Sequence, residues 1–179
     1  MASQENRHFE GTIVRVDLEQ VTLPNGHTME MEIVRHPGGA AVVALDERRR
    51  ICLLKQYRCV FDQWLWELPA GKRDHQEPPL ETAQRELQEE AGIIAGQWRD
   101  LGPIISSPGV FTEQVYLYLA QECMPAKTQP AADEVFEIHW VALQDAYQQV
   151  LDGDIVDAKT MIGILKATAL LKQNTVSAP

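Results

Sequence analysis

Apolar and polar residues alternate over positions 11–34, first through Thr12, Val14 and Val16 and then through Met29, Met31 and Ile33. The break between the two halves is Leu23-Pro24-Asn25-Gly26. A period of two marks a half-buried strand, and Asn-Gly is a strong signal for a tight turn, so an N-terminal β hairpin is expected. His36-Pro37-Gly38-Gly39 punctuates the chain. Two apolar runs of strand length follow, at 40–45 and 51–57, around the charged turn 46–50, and such runs suit strands buried on both faces. A short aromatic strand at 64–68 ends at Pro69-Ala70-Gly71. After Pro78-Pro79 the period changes to that of a helix: Leu80, Ala83, Leu87 and Ala91 form one apolar stripe, stopped by Gly92. Residues 101–105, 115–120 and 136–141 are strand-like, with Ser107-Pro108-Gly109 as a loop, and helices are expected near 144–151 and 157–172.

Several strands and three helices in this order are too irregular for a doubly wound repeat. The pattern predicts an α+β or layered α/β/α domain over residues 36–179, with residues 1–35 as a separate N-terminal hairpin module.

The chain has 179 residues, 45% of them hydrophobic and 23% charged, the composition of one self-sufficient globular domain. Sixteen Lys and Arg stand against 26 Asp and Glu, a net charge of -10, which argues against a broad cationic surface for nucleic acid or an anionic membrane. Cys52, Cys59 and Cys123 are odd in number, far apart and without a CxxC pair, so reduced thiols in a cytoplasmic protein are expected. The polar start and the lack of any run of about 18 apolar residues predict neither export nor a membrane span.

The segment GKRDHQEPPLETAQRELQEEAGI, 71–93, carries the candidate chemistry. On its helix Glu86 lies three residues before Glu89 and four before Glu90, so the three carboxylates share one sector of the helix surface. Oxygen ligands so arranged suit a hard divalent cation that keeps water and substrate phosphate in its other positions. Arg85, four after Glu81 and four before Glu89, is placed to brace them. Glu-rich helices are common as solvated faces, so the cluster alone decides little.

The ordered spacing decides more. Gly71, Glu77, Arg85, Glu86, Leu87, Glu89, Glu90, Gly92 and Ile93 match every constrained position of the Nudix hydrolase signature, an agreement expected by chance about once in ten million such chains. The chain resembles that family. The resemblance implies an α/β/α sandwich with a mixed central sheet, and hydrolysis of nucleoside diphosphates linked to a second group. It implies Mg2+, or Mn2+, held by Glu86, Glu89, Glu90 and the Ala70 carbonyl, with Glu77 and Arg85 as a bracing pair.

Outside the box, Gln56-Tyr57-Arg58, Trp66-Glu67-Leu68-Pro69-Ala70-Gly71, and Ser107-Pro108-Gly109 with Glu113 resemble the ADP-ribose pyrophosphatase and nucleoside diphosphate sugar hydrolase branch. Pro108, sixteen residues after Gly92, matches its distinguishing proline. This likeness implies that Arg58 binds phosphate, that Glu67 belongs to the substrate site and that Glu113 binds terminal sugar hydroxyls. The acidic loop 131–137 is where the branch supplies further carboxylates. Glu134 ranks first as general base and further metal ligand, ahead of Glu89 and Glu137, while Ala132 departs from relatives that are acidic there. The branch also implies a homodimer built through the N-terminal strands. Hydrolysis of ADP-ribose or a related nucleotide sugar leads, with GDP-mannose or dinucleoside polyphosphates as alternative substrates. A non-catalytic nucleotide sensor is disfavoured by the complete box, and an enzyme of capped RNA ends by the acidic charge. Tyr57, Trp64 and Trp66 are candidates to stack on a base, although core packing competes for them.

Overall fold

The structure, a computed structural model, describes residues 6–74, 77–129 and 135–176. Strands β1 (Asn6–Glu10), β2 (Arg15–Thr22) and β3 (Thr28–Arg35) form an antiparallel sheet in that order. β2 and β3 are the expected hairpin, closed where the Gly26 N–H meets the Leu23 carbonyl at 2.9 Å. The sheet is one strand larger than expected, because β1 lies antiparallel on β2 with an irregularity between Arg7 and Phe9. The NRHFE sequence of β1 has no apolar alternation, so pairing with an available edge decides its conformation rather than pattern.

A mixed four-stranded sheet in the order β7-β4-β9-β8 forms the centre, made from β4 (Gly39–Ala44), β7 (Ala70–Lys72), β8 (Ile93–Ile105) and β9 (Gln114–Pro125). β4 and β9 run parallel and the other neighbours antiparallel. Beside it stand β5 (Arg50–Arg58), β6 (Gln63–Glu67) and β10 (Phe136–Ala142), in the order β10-β5-β6.

Every residue of β4 is buried, and its side chains alternate between two cores. Ala40, Val42 and Ala44 face helix α1 (Pro79–Ala91) through Ala83 and Leu87. Ala41 and Val43 face α2 (Leu143–Asp152) and α3 (Ala158–Val176) through Ala146, Val150, Ile164 and Ala167. Helices therefore cover both faces, which is the layered α/β/α arrangement anticipated from the pattern.

Two further elements differ from expectation. β8 begins at Ile93, directly after the helix, instead of at Leu101; its first part (IIAGQWRD) is weak in apolar alternation and is held by pairing along β9. Residues 70–72 are a strand rather than a loop. Pro69 ends β6, its carbonyl accepts the Val42 N–H at 2.9 Å, and the chain crosses to the edge of β4. Helix α1 has Pro in its first turn, where a missing N–H costs nothing, and ends at Gly92, whose φ of 62° is left-handed. Among the described residues no helix is long and apolar enough to cross a membrane.

Candidate active site

Helix α1 lies with its carboxylate-bearing side toward β7. Glu86 and Glu90, expected on the helix surface, are 8% and 2% exposed, so the sheet closes over two of the three carboxylates. The reason is steric as well as electrostatic. Glu86 packs onto the backbone of Gly71, and Glu90 Oε2 accepts the Ala70 N–H at 2.8 Å. Glu89 remains partly exposed.

Arg85 ties the cluster together. Its Nη1 donates to Glu86 Oε1 at 2.7 Å and to Glu89 Oε2 at 3.0 Å. Its other edge donates to Glu77 at 3.2 and 3.4 Å and to the Lys72 carbonyl at 3.1 Å. Thr82 Oγ1 donates to Glu77 Oε2 at 2.9 Å. These bonds, the one from Arg85 first, hold the Glu77 carboxyl below the usual range. Burial disfavours the Arg85 charge, yet the surrounding carboxylates outweigh it and raise the guanidinium pKa further.

Among the described residues no three acidic, His or Cys side chains already converge as a ligand shell, because Glu86 and Glu89 turn to Arg85 while Glu90 turns to Ala70. The donor set nonetheless fits a hard divalent cation. Three carboxylates from adjacent turns flank a strand whose glycine leaves room for the Glu86 carboxylate.

Arg58 and Glu67, both expected at the substrate site, meet in a two-pronged ion pair: Nε to Oε1 at 2.6 Å and Nη2 to Oε2 at 2.7 Å. Lys159 Nζ also donates to Glu67 Oε2, and lies 3.0 Å from Asp157 Oδ1. Burial opposes ionisation of Glu67, but Arg58 and Lys159 prevail and keep its pKa low. Arg58 is held charged chiefly by its hydrogen bond to Glu67, and the charges of Glu90 and Asp157 reach it as well. Sequence reading missed Lys159 and Asp157. Their only local signal is Asp157 three residues before Thr160, a helix-start pattern: Asp157 Oδ2 accepts the Thr160 N–H at 3.0 Å.

Glu113 precedes β9. Gly39 of β4 pairs with both Lys72 and Val115, which puts the start of β9 two strands from β7. Glu113 Oε2 accepts from Ser106 Oγ at 2.9 Å, and its other oxygen lies 3.6 Å from His36 Nδ1. The loop before it is stitched to the N-terminal sheet, with the Val34 N–H donating to Val110 and the Thr112 N–H donating to Val34. Glu137 sits on β10, exposed, 3.0 Å from His139 Nε2. Glu134 and Ala132 lie outside the described residues. Trp66 packs against the main core and Tyr57 meets Trp64 edge-on at 5.8 Å, both leaving Trp64 the more exposed tryptophan.

The model of the NUDIX domain matches residues 35–162. The chain belongs to the Nudix family. Within the family it is 37% identical over 158 residues to an ADP-ribose pyrophosphatase of Bacillus subtilis, covering 87% of this chain and 85% of the relative. It is 38% identical over 160 residues to the methanol dehydrogenase activator of Bacillus methanolicus, with the same coverage of 87% and 85%. A crystal structure of an ADP compounds hydrolase superposes on this Nudix fold with a TM-score of 0.81, at 19% identity, covering 97% of this chain and 98% of that one.

Proposed function

We propose that this Nudix enzyme hydrolyses the pyrophosphate bond of ADP-ribose or a related nucleoside diphosphate sugar. The products are a nucleoside monophosphate and a sugar phosphate. The observation that carries this reading is the seating of Glu86 on Gly71 and of Glu90 on the Ala70 N–H, beside the ion pair of Arg58 and Glu67. Likeness to an ADP-ribose pyrophosphatase supports the substrate class.

Glu86, Glu89, Glu90 and the Ala70 carbonyl, with Glu134, would hold the cation, Mg2+ with Mn2+ as a substitute. When bound, the cation offsets the diphosphate charge and lowers the pKa of the attacking water. The protein's own residues do the rest. Glu77 and Arg85 set the rotamers of Glu86 and Glu89. Arg58, held in one orientation by Glu67, binds a phosphate oxygen pair, and Glu113 accepts hydrogen bonds from the terminal sugar. A carboxylate takes the proton of water as its oxygen joins one phosphorus; Glu134 ranks first for this, before Glu89 and Glu137. The bridging P–O bond breaks, and the bridging oxygen leaves with the second phosphate.

Residues 1–35 act as a module through which two chains form a homodimer, a reading supported by exposed Phe9 and Met29 on its strands and Ile13 in the turn between β1 and β2. A cytoplasmic location accords with three free cysteines.

The test is phosphate release, after phosphatase coupling, from ADP-ribose, ADP-glucose, GDP-mannose, diadenosine polyphosphates and dNTPs, with Mg2+ and with EDTA. Metal-dependent cleavage led by ADP-ribose or another nucleotide sugar is expected. Activity confined to dNTPs or dinucleoside polyphosphates overturns the substrate class.

A further inference from the structure

Glu67 is the last residue of β6, three residues before the Ala70 backbone that receives Glu90, and its side chain is 3% exposed. A carboxylate that deep needs compensation, and it has two cations rather than one: Arg58 from its own sheet and Lys159 from the first turn of α3. Asp157 faces Lys159 with one oxygen and caps α3 with the other, so part of its charge is met by the positive end of that helix. The same helix start fixes the neighbouring backbone, since the Leu68 N–H donates to Thr160 Oγ1 at 2.8 Å.

The sharing matters for Arg58. That side chain is 40% exposed and uses Nε and Nη2 on Glu67; among the described residues its Nη1 makes no hydrogen bond. If Glu67 had Arg58 alone, the pair would be neutral toward an incoming phosphate, and Glu90 nearby would add repulsion. Because Lys159 shares Glu67, and Asp157 is in turn met partly by the start of α3, Arg58 keeps more of an outward positive field than a closed pair would, while remaining fixed by two hydrogen bonds.

We propose that Lys159, held by Asp157, is a positioning residue for substrate phosphate: by sharing Glu67 with Arg58 it leaves the fixed Arg58 guanidinium more positive toward the diphosphate than a closed Arg58–Glu67 pair would be. This inference rests on the functional reading above, in which Arg58 meets phosphate. Lys159 itself, 16% exposed and turned to Glu67 and Asp157, does not touch substrate.

The experiment compares KM and kcat for ADP-ribose, with Mg2+, in the wild type and in K159M, K159Q, K159R and R58A, with thermal unfolding of each. K159M is expected to raise KM about tenfold with a smaller change in kcat. K159R should recover most of that loss, because it restores a cation beside Glu67. A residue that merely stabilises the fold would not split KM from kcat in this way. An unchanged KM in K159M, with only kcat or the unfolding temperature lowered, overturns the inference. If K159M does not fold, K159Q carries the measurement: a KM raised about tenfold is expected, and a KM equal to that of the wild type overturns the inference. A wild type that cleaves no nucleotide sugar overturns the functional reading and this inference together. A raised KM in R58A with K159M unaltered overturns the inference alone.

Discussion

Glu86 occupies the space that a side chain on Gly71 would require. A Cβ built at Gly71 would lie 1.9 Å from Glu86 Oε1 and 2.1 Å from its Cδ, far inside any non-bonded contact. The glycine at the head of the box and the first glutamate of its helix, fifteen positions apart in the sequence, are thus the two halves of one contact.

Replacing Gly71 by Ala must therefore displace either the carboxylate or β7. The expected cost is about 1–3 kcal/mol of stability, as for other overpacked sites, and about a hundredfold loss of turnover from a misplaced group. Denaturant midpoints and kcat measured side by side check both. Undiminished turnover in a folded G71A protein would remove Glu86 from the site.

Glu90→Gln separates charge from architecture. The amide oxygen of Gln can still accept the Ala70 N–H, which Glu90 accepts at 2.8 Å, so the fold should be retained. The loss of one anionic donor should cut turnover by about a hundredfold or more. Circular dichroism and steady-state rates test this, and a full rate in E90Q would sink the metal-binding assignment of Glu90.

Acid stability should depend on Glu77. Its folded pKa lies below the ordinary 4.5, mainly through the hydrogen bond from Arg85. A depressed carboxyl pKa adds stability above the unfolded value and loses it as pH falls through the folded value. Glu67, held low by Arg58 and Lys159 against the effect of its burial, acts in the same sense. The denaturation midpoint of the wild type should therefore fall as pH drops below about 4.5, and E77Q should show a shallower fall over that window. Equal slopes in the two proteins would contradict the role given to the Arg85 bond.

The proposed homodimer predicts twice the chain mass in sedimentation at micromolar concentration. Phe9, 54% exposed on β1, is an apolar group with no place in the domain core, and Phe9→Asp should shift the equilibrium toward the single chain. A single-chain mass for the wild type would end the prediction.

Much of the site is legible in the sequence. Positions 86, 89 and 90 share a helix face by geometry alone, Pro78-Pro79 and Gly92 bracket that helix, and the observed Pro79–Ala91 follows from them within a residue. The strands at 40–45 and 51–57 were legible as apolar runs. β1 and the first half of β8 were not, since neither carries an apolar alternation and each exists because a neighbouring strand offers an edge. The pairing of Arg58 with Glu67 was invisible too: both were read as substrate groups, and only their meeting across β5 and β6 shows that one holds the other.

By itself, the sequence determined whatever depends on residues within a few positions of one another: the carboxylate-bearing helix, the Asn-Gly turn, the box spacing and hence the family. Helical and turn geometry are local, so spacing is enough to read them. Tertiary structure alone decided that Glu86 and Glu90 are buried, that Arg85 spans Glu77, Glu86 and Glu89, and that Lys159 reaches Glu67 across 92 residues of chain. Those facts come from the packing of α1 and α3 against the strands between them, and the energy of a buried charge depends on which partners that packing brings within reach.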